Sequence, residues 1–494
     1  MTRKLSIYNS LSREKEALVP ITEGRLGMYV CGPTVYNDVH LGNCRTFVSF
    51  DIIYRYLLKA GYKVRYVRNI TDVGHLLDDG EDRMSKGARL DQLEPMEVAQ
   101  KYTYGFHEMM QIFNTLSPSI EPRATGHIIE QIKMVHDILD RGYAYIKNGS
   151  VYFDTPKFIK DGHPYGKLSG RIVEDLLTET RDNLKNQDEK NHPSDFALWI
   201  KATEEHIMRW ESPWSVGFPG WHLECSAMST KYLGENFDIH GGGNDLKFPH
   251  HENEIAQNVG SCGHAPAKYW LHTNMLLLNG KKMSKSDGNT ISPPELFSGQ
   301  SEHISKAYSP MVVKFFMMQA HYRSPLDITD DALQAAEKGF KRLMETLRIA
   351  QEHQPTLPAT GNKDLEIQKI IDGIWANMDD DFNVPNALSG IFELSGIINS
   401  IKDGHLKSEE VGDNSWKEMC SFILDFVHQV MALKNENEES DVKTVGGLMD
   451  LIIDLRKDIR EKKDWAASDK IRDALLELGI QLKDGKAGTE WNRS

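Results

Sequence analysis

No run of apolar residues in this chain is long enough to span a bilayer, and its first twenty residues lack the apolar core of a secretory signal. These two absences argue against an integral membrane protein and against a secreted one. We therefore expect a cytoplasmic protein that has no membrane partner.

Cysteine is scarce, with five residues spread over 494 positions: Cys31, Cys44, Cys225, Cys262 and Cys420. An odd and widely scattered set argues against a disulfide framework. It favours thiols that stay reduced or that bind a metal.

Basic residues are fewer than acidic ones: the chain has 58 Lys and Arg and 72 Asp and Glu, which gives a formal net charge of -14. This balance excludes a protein that holds nucleic acid through its overall charge and leaves a local basic patch for such a role. The hydrophobic share of 40% and the charged share of 26% are ordinary for a folded protein. A chain of this length should form several domains.

The first part of the chain has the pattern of a nucleotide-binding sheet. Residues 28–30 are typical of a short strand, apolar residues recur at helical spacing from Leu41 until Gly61, and residues 63–70 are rich in β-branched and aromatic residues. The order strand, helix, strand predicts a βαβ unit of a parallel sheet. Strand-like segments at 236–240 and 269–278 are expected to return to the same sheet.

The rest of the chain divides by composition. The prediction is an α/β catalytic domain at 1–325, interrupted by an inserted subdomain at about 110–220. Long amphipathic segments then predict an α-helical bundle at 326–434. An acidic linker at 435–442 should lead to a small C-terminal domain at 443–494, where basic residues outnumber acidic ones.

Two segments could handle phosphate groups. In His40-Leu41-Gly42-Asn43 a strand gives way to a helix, so Gly42 would let an anion approach the helix N-terminus between two polar side chains. The segment NGKKMSKSDGN is a glycine-flanked basic loop suited to the phosphates of ATP, with Lys282, Ser284, Lys285 and Ser286. Taken singly, each also fits a plainer interpretation, a helix cap with a surface histidine and a solvated lysine loop.

Taken together, the two segments resemble the paired signatures of class I aminoacyl-tRNA synthetases. His40 to Asn43 is similar to the His-Ile-Gly-His signature, with Leu41 and Asn43 as departures, and Lys282 to Ser286 matches the second signature without change. The resemblance implies a Rossmann-like catalytic domain that binds ATP with Mg²⁺. It implies catalytic roles for His40, Asn43, Lys282 and Lys285, although Asn43 offers a hydrogen bond rather than a charge.

A metal site is a second candidate feature. His250 and Glu254 are four residues apart in a helical pattern, which puts them on one face, whereas the same step from His251 reaches Ile255. With Cys31 and Cys225 they make a donor set of two thiolates, an imidazole and a carboxylate, which suits zinc. The same spacing is also compatible with a structural interpretation, in which the two cysteines are core residues and the histidine caps a helix. It does not fit the zinc-protease motif.

The set resembles the zinc site of the cysteinyl-tRNA synthetase family ligand for ligand. In that family one zinc ion per chain is held by these four groups and takes the substrate thiolate, so it distinguishes cysteine from serine. The resemblance further implies that Trp221, His240, Asp245 and Thr71 contact the substrate cysteine and that Gly241, Gly242 and Gly243 line the ATP site. It gives Trp491, in a C-terminal end like the family's anticodon-recognising domain, a contact to RNA.

The function implied is activation of L-cysteine by ATP, followed by transfer to tRNA(Cys) in a monomeric enzyme. Two alternatives stay open. A ligase that joins cysteine to an amino sugar would share the zinc and ATP sites but lack the tail. A regulatory RNA-binding relative should have lost one or both signatures, and neither is lost here.

Overall fold

A computed structural model describes residues 2–74, 93–171, 189–204, 206–283, 289–462, 464–477, 480–485 and 488–493. The chain divides into two compact units, Met1–Leu433 and Lys434–Ser494. No helix within these described ranges is long and apolar enough to cross a membrane.

The described strands of the first unit are β1 Ser6–Asn9, β2 Glu14–Ala17, β3 Arg25–Val30, β4 Lys63–Arg68, β5 Ala144–Lys147, β6 Ser150–Phe153, β7 Phe196–Lys201, β8 Gly217–Pro219, β9 Phe237–Gly243, β10 Ala267–Thr273, β11 Leu276–Leu278, β12 Lys281–Lys282 and β13 Leu326–Ile328. Its described α-helices are α1 Leu41–Lys59, α2 Pro95–Ile112, α3 Ile128–Asp140, α4 Thr155–Lys160, α5 Leu223–Leu233, α6 His250–Cys262, α7 Pro293–Ser298, α8 Pro310–Met317, α9 Asp330–Glu352, α10 Asp364–Asp379, α11 Val384–Lys402 and α12 Asp413–Asp425. The second unit contains α13 Glu436–Glu461, α14 Trp465–Glu477, β14 Ile480–Gly485 and β15 Gly488–Arg493.

A four-stranded parallel sheet forms the centre of the first unit, in the order β10-β9-β3-β4. Helix α1 connects β3 to β4 and buries its apolar face, and the chain leaves it through Gly61 at a φ of 93°. The predicted strand, helix and strand are therefore confirmed, and so is the α/β fold class with its helical C-terminal region. Because the strands are parallel, their carboxyl ends share one edge of the sheet.

The prediction for 269–278 is only partly right. Strand β10 joins the central sheet, but β11 pairs with β12 and β13 in a separate three-stranded sheet. The chain turns between the two because Asn274 donates its backbone N–H to Tyr322 and the buried Arg45 donates to the carbonyls of Asn274 and Met275. The lysine segment therefore begins on the second sheet, not on the first as its apolar run suggests.

The inserted region contains an antiparallel sheet in the order β5-β6-β7-β8. Val151, Phe153 and Trp199 on this sheet are buried with Val135 and Ile138 of α3 in a second hydrophobic cluster, which also includes Leu223 and Ala227 of α5 and Ala256 of α6. The inserted subdomain at about 110–220 and its boundaries stay a prediction.

Helices α9 to α12 pack through apolar residues that recur at helical spacing. In the second unit the predicted linker 435–442 lies mostly within α13, in keeping with the good helix propensity of glutamate. Helix α14 packs on the β14–β15 hairpin, where Trp491 pairs with Leu482 and is half-buried.

Candidate metal and nucleotide site

The carboxyl edge of the central sheet brings four distant donor residues together. Cys31 directly follows β3 and donates its N–H to the carbonyl of Gly241 on β9, at 3.0 Å. Cys225 lies on α5, and His250 and Glu254 lie one turn apart on α6. One donor atom from each of the four lies within 4.8 Å of the others, and all four residues are buried.

The distances within this cluster suit ligands of one ion. The Sγ atoms of Cys31 and Cys225 are 3.7 Å apart, and Cys31 Sγ is 3.6 Å from Glu254 Oε1. His250 Nε2 lies 3.1 Å from the same carboxylate oxygen without the alignment of a hydrogen bond. A buried nitrogen of this kind is suited to coordinating a metal.

The charges of the cluster also suit a cation. Burial opposes ionisation of Cys225, but the hydrogen bond from Cys31 and the nearby His250 outweigh it and lower the pKa of Cys225 to about 6. Burial likewise opposes ionisation of Glu254, whose pKa His240 and His250 lower to about 2. Burial raises the pKa of Cys31 well above its usual value. Burial lowers the pKa of His250, but Cys225 and Glu254 outweigh it and raise that pKa to about 10. The site thus holds two anions beside a protonated imidazole, and a bound divalent cation would take the place of that proton.

A second donor set overlaps the first. Cys31, His240, His251 and Glu254 also offer ligand atoms within 4.8 Å of one another. His251 Nε2 lies only 3.3 Å from Cys31 Sγ, although the spacing argument set His251 aside. A hydrogen bond of 2.8 Å joins its Nδ1 to His272, which orients the ring toward the cluster.

Asn69 is a functional candidate that the sequence analysis missed. Its Oδ1 accepts a 2.9 Å hydrogen bond from the N–H of Gly32 and lies 3.6 Å from Cys225 Sγ. A Cβ on Gly32 would lie 1.6 Å from the carbonyl oxygen of Asn69, so only glycine fits next to Cys31. Its position in the sequence could have identified it, because Asn69 directly follows β4 just as Cys31 directly follows β3.

The residues predicted to contact the substrate differ in their surroundings. Thr71 is buried and donates to Glu224 Oε1 at 2.5 Å. His240 is 2.8 Å from Glu254 Oε2, and the ring centroid of Trp221 lies 4.7 Å from that of His250. Asp245 is exposed, and no contact within the described ranges joins it to the cluster.

The predicted phosphate site at the start of α1 takes the form of a helix cap. His40 is the N-cap residue, and its Nδ1 accepts from the N–H of Asn43 at 3.3 Å. In turn, the backbone N–H of His40 donates to Oδ1 of Asn43, also at 3.3 Å. A Cβ on Gly42 would lie 2.9 Å from the His40 ring, so glycine allows the ring to fold over the helix start.

The other predicted nucleotide residues lie on β9 and β12. A Cβ on Gly241 would lie 2.3 Å from the Phe50 ring and one on Gly242 would lie 2.9 Å from His251, so both glycines permit close packing on the strand. Gly243 ends that strand, and Lys282 is exposed on β12. The remaining predicted residues, Ser284, Lys285 and Ser286, lie outside the described residues.

Two family models match the chain. Residues 17–338 match tRNA synthetases class I (C) catalytic domain, and residues 375–432 match the DALR domain. Solved structures share the fold at low sequence identity. A Mycobacterium tuberculosis methionyl-tRNA synthetase in complex with methionyl-adenylate is 14% identical, with a TM-score of 0.60 over 87% of this chain and 94% of that one. The match of residues 17–338 to the catalytic-domain model shows that the chain is a class I aminoacyl-tRNA synthetase.

Similar proteins of known name show which family within class I the chain belongs to. The cysteine–tRNA ligase of Bacteroides thetaiotaomicron is 52% identical over 99% of both chains. That of Deinococcus radiodurans is 46% identical over 99% of this chain and 97% of its own. The chain belongs to the cysteine–tRNA ligase family, and it is an enzyme of the aminoacyl-tRNA ligase class.

Proposed function

We propose that this enzyme activates L-cysteine with ATP and transfers the product to tRNA(Cys), using a zinc ion to select the substrate thiol. The observation that carries the proposal is the convergence of Cys31, Cys225, His250 and Glu254 in one buried cluster. Sulfur, nitrogen and oxygen donors in this combination favour zinc over harder cations.

The donor residues fit such an ion because two of them are held as buried anions. Cys31, Cys225, His250 and Glu254 would hold the zinc, which when bound would supply a Lewis acid that favours thiolate over hydroxyl. His240 would orient Glu254 through the 2.8 Å contact, and Asn69 would position the Cys31–Gly32 backbone. His251 is the competing ligand, because its Nε2 lies 3.3 Å from Cys31 Sγ.

The nucleotide would lie at the same edge of the sheet. The N-terminus of α1 would bind phosphate oxygens beside His40 and Asn43, and Lys282, Ser284, Lys285 and Ser286 would stabilise charge on the leaving diphosphate together with Mg²⁺. Gly241 to Gly243 would let the adenylate approach the backbone. Trp221, Asp245 and Thr71 are retained as proposed substrate contacts.

The whole-chain organisation follows from the same proposal. Residues 1–325 would carry both reaction steps, 326–434 would form the helical domain, and 443–494 would contact tRNA through Trp491. The monomeric state and the cytoplasmic location stay predictions of the sequence.

Charging of a tRNA(Cys) transcript with labelled cysteine tests this function. The purified chain should form a cysteinyl ester on the transcript, and it should require ATP and Mg²⁺. Cysteine activation without any charging would favour the amino-sugar ligase, and neither reaction would favour a regulatory role.

A further inference from the structure

A further group of metal-binding side chains lies at the ends of α5 and α6, apart from the buried donor sets. Glu235, Cys262 and His264 each offer one donor atom, and the three atoms lie within 4.8 Å of one another. His264 Nε2 is 3.6 Å from Glu235 Oε2, and Cys262 Sγ is 3.9 Å from His264 Nδ1. These three residues, which we call the surface cluster, share no member with the two buried sets.

Two glycines bring the members of the surface cluster together. Cys262 is the last residue of α6, and Gly263 ends the helix at a φ of 97°, a conformation that favours glycine. The chain reverses there, which returns His264 toward the Cys262 side chain. Glu235 likewise follows Gly234, which ends α5 at a φ of 93°. The surface cluster is therefore built from residues at two helix ends.

The charges around the surface cluster suit a cation. The carboxyl end of a helix carries a partial negative charge, and both α5 and α6 end here. The Cys262 thiol donates to the carbonyl oxygen of Asn258, one turn earlier, at 3.1 Å. Arg141 approaches the same turn, with its Nη2 3.1 Å from the position of a Gly263 Cβ, but no ion pair joins it to Glu235 in the described part of the chain. The Glu235 carboxylate therefore faces the imidazole of His264.

The donor types favour zinc. Thiolate, imidazole and carboxylate are the three kinds of ligand that zinc takes in proteins, and the thiolate disfavours hard cations such as Mg²⁺. The side chains of Glu235 and His264 are 63% and 45% exposed, so water can complete the coordination. Among the five cysteines, all of which the structure describes, Cys262 alone is not buried. Its thiol is therefore open to a metal ion in solution.

The surface cluster and the buried donors lie at opposite ends of the same helix pair. His222 contacts His250 at 3.0 Å where α5 and α6 begin, and Thr230 donates to Asn258 at 3.2 Å further along both helices. The two helices thus run in the same direction. With 11 and 13 residues, they are about 17–20 Å long. An ion in the surface cluster would therefore be distinct from one held by the buried donors.

We propose that Glu235, Cys262 and His264 form a second metal site, which binds one Zn²⁺ or another thiophilic divalent cation. Binding would release the proton of the Cys262 thiol to solvent and would join the C-terminal ends of α5 and α6. Two of the ligands are exposed side chains that lose conformational freedom on binding, so this ion should be held more weakly than the buried one. The proposal does not depend on the proposed function, because the site needs neither cysteine, ATP nor tRNA.

Zinc titration of the full-length chain against a chromophoric chelator tests the proposal. Beyond the zinc that it retains through dialysis, the wild type should take up one further equivalent. Cys262→Ser and His264→Ala should each lose this further equivalent and keep the retained zinc. Both residues lie outside the proposed catalytic machinery, so unchanged cysteine-dependent pyrophosphate exchange at low free zinc shows that the variants are folded.

His136→Ala is the matched control. His136 is also exposed, and its Nδ1 lies 3.1 Å from an Asp140 oxygen, but it belongs to no three-residue donor set in the described ranges. This variant should take up the further equivalent like the wild type. The comparison separates a site that needs the thiol from binding by any surface pair of histidine and carboxylate.

Alkylation of Cys262 by iodoacetamide, followed by peptide mass spectrometry, gives a second readout. Free zinc should protect Cys262 in the wild type, because the coordinated thiolate is no longer available, and should not protect it in His264→Ala. A wild type that takes up no further equivalent would overturn the proposal. So would a further equivalent that persists in both Cys262→Ser and His264→Ala, one that is lost equally in His136→Ala, or alkylation of Cys262 that zinc does not slow.

Discussion

Cysteine and serine differ by one atom, and the proposed zinc ligands at the sheet edge would give the enzyme a physical way to tell them apart. An apolar pocket separates near-isosteres by only about 10- to 200-fold. The buried set of Cys31, Cys225, His250 and Glu254 can instead bind an ion that prefers sulfur. Selectivity would then come from coordination chemistry rather than from shape.

Cys225→Ser tests the ligand set. The variant should lose its zinc and lose cysteine activation by more than about 100-fold, because a serine hydroxyl is a poor zinc ligand. Zinc content by atomic absorption and pyrophosphate exchange measure the two effects. Cys420→Ser, at another buried thiol, is the matched control and should keep both. A Cys225 variant that lost its metal but kept full activity would remove the metal from the mechanism.

Gly32→Ala tests the backbone contact that positions Cys31. The added Cβ would meet the Asn69 carbonyl at 1.6 Å, so the chain must shift and the free energy of unfolding should fall by about 2 kcal/mol or more. Thermal unfolding measures this. Gly396→Ala, where no atom lies within 4 Å of the new Cβ on α11, should stabilise the chain by up to about 1 kcal/mol. Equal midpoints for the two variants would contradict the described contact.

At the scale of elements, the groups proposed to bind phosphate stand on two different sheets, on the βαβ unit and on the short strand β12. Helix α1 begins with the His40 and Asn43 cap at the end of β3, and Lys282 stands on β12 beside β11. Neither the start of α1 nor β12 alone would surround a triphosphate. Binding of ATP would therefore require both.

Lys282→Ala should slow cysteinyl-adenylate formation by about 100-fold, since the proposed function uses this charge to stabilise the leaving diphosphate. Zinc content should not change. Lys281→Ala removes the preceding lysine, which the alternation of side chains directs to the other face of β12, and should have little effect. Single-turnover kinetics with ATP and cysteine measure the rate of adenylate formation. Equal rates for the Lys282 and Lys281 variants would contradict the role proposed for Lys282.

The sequence predicted elements with local patterns better than contacts between distant segments. The strand at 28–30, α1 and the four metal candidates were foreseen, the last with help from a family resemblance. The break between β10 and β11 was missed because one apolar run crosses both strands. Asn69, Glu224 and His272 were missed because their contacts join residues far apart in the chain, and no periodicity marks a buried polar side chain. His251 was considered and set aside because the spacing argument tested only the step of four residues along one helix.

At the scale of the whole molecule, an acidic chain must still bind an acidic RNA. Its two compact units, Met1–Leu433 and Lys434–Ser494, allow activation and RNA recognition to be separated. The proposed tRNA contact at Trp491 lies in the segment 443–494, where Lys and Arg outnumber Asp and Glu although the whole chain has a net charge of -14. Strong dependence of tRNA binding on salt should follow.

Deletion of residues 434–494 should spare cysteine activation and impair tRNA charging. The cut falls between the compact units and ahead of α13, so the remaining unit keeps its central sheet and the four candidate metal ligands. Pyrophosphate exchange gives the first result, and the KM for tRNA in charging should rise by at least about tenfold. Undiminished charging would show that the second unit is not an RNA-binding domain.

The central claim, that a metal held by Cys31, Cys225, His250 and Glu254 selects the substrate thiol, is tested most directly by amino-acid-dependent pyrophosphate exchange with zinc-loaded enzyme. Cysteine and serine are compared side by side at equal concentration. The account predicts exchange with cysteine and none above background with serine. Comparable exchange with both amino acids would mean that the buried cluster has a structural role and that the thiol is not selected there.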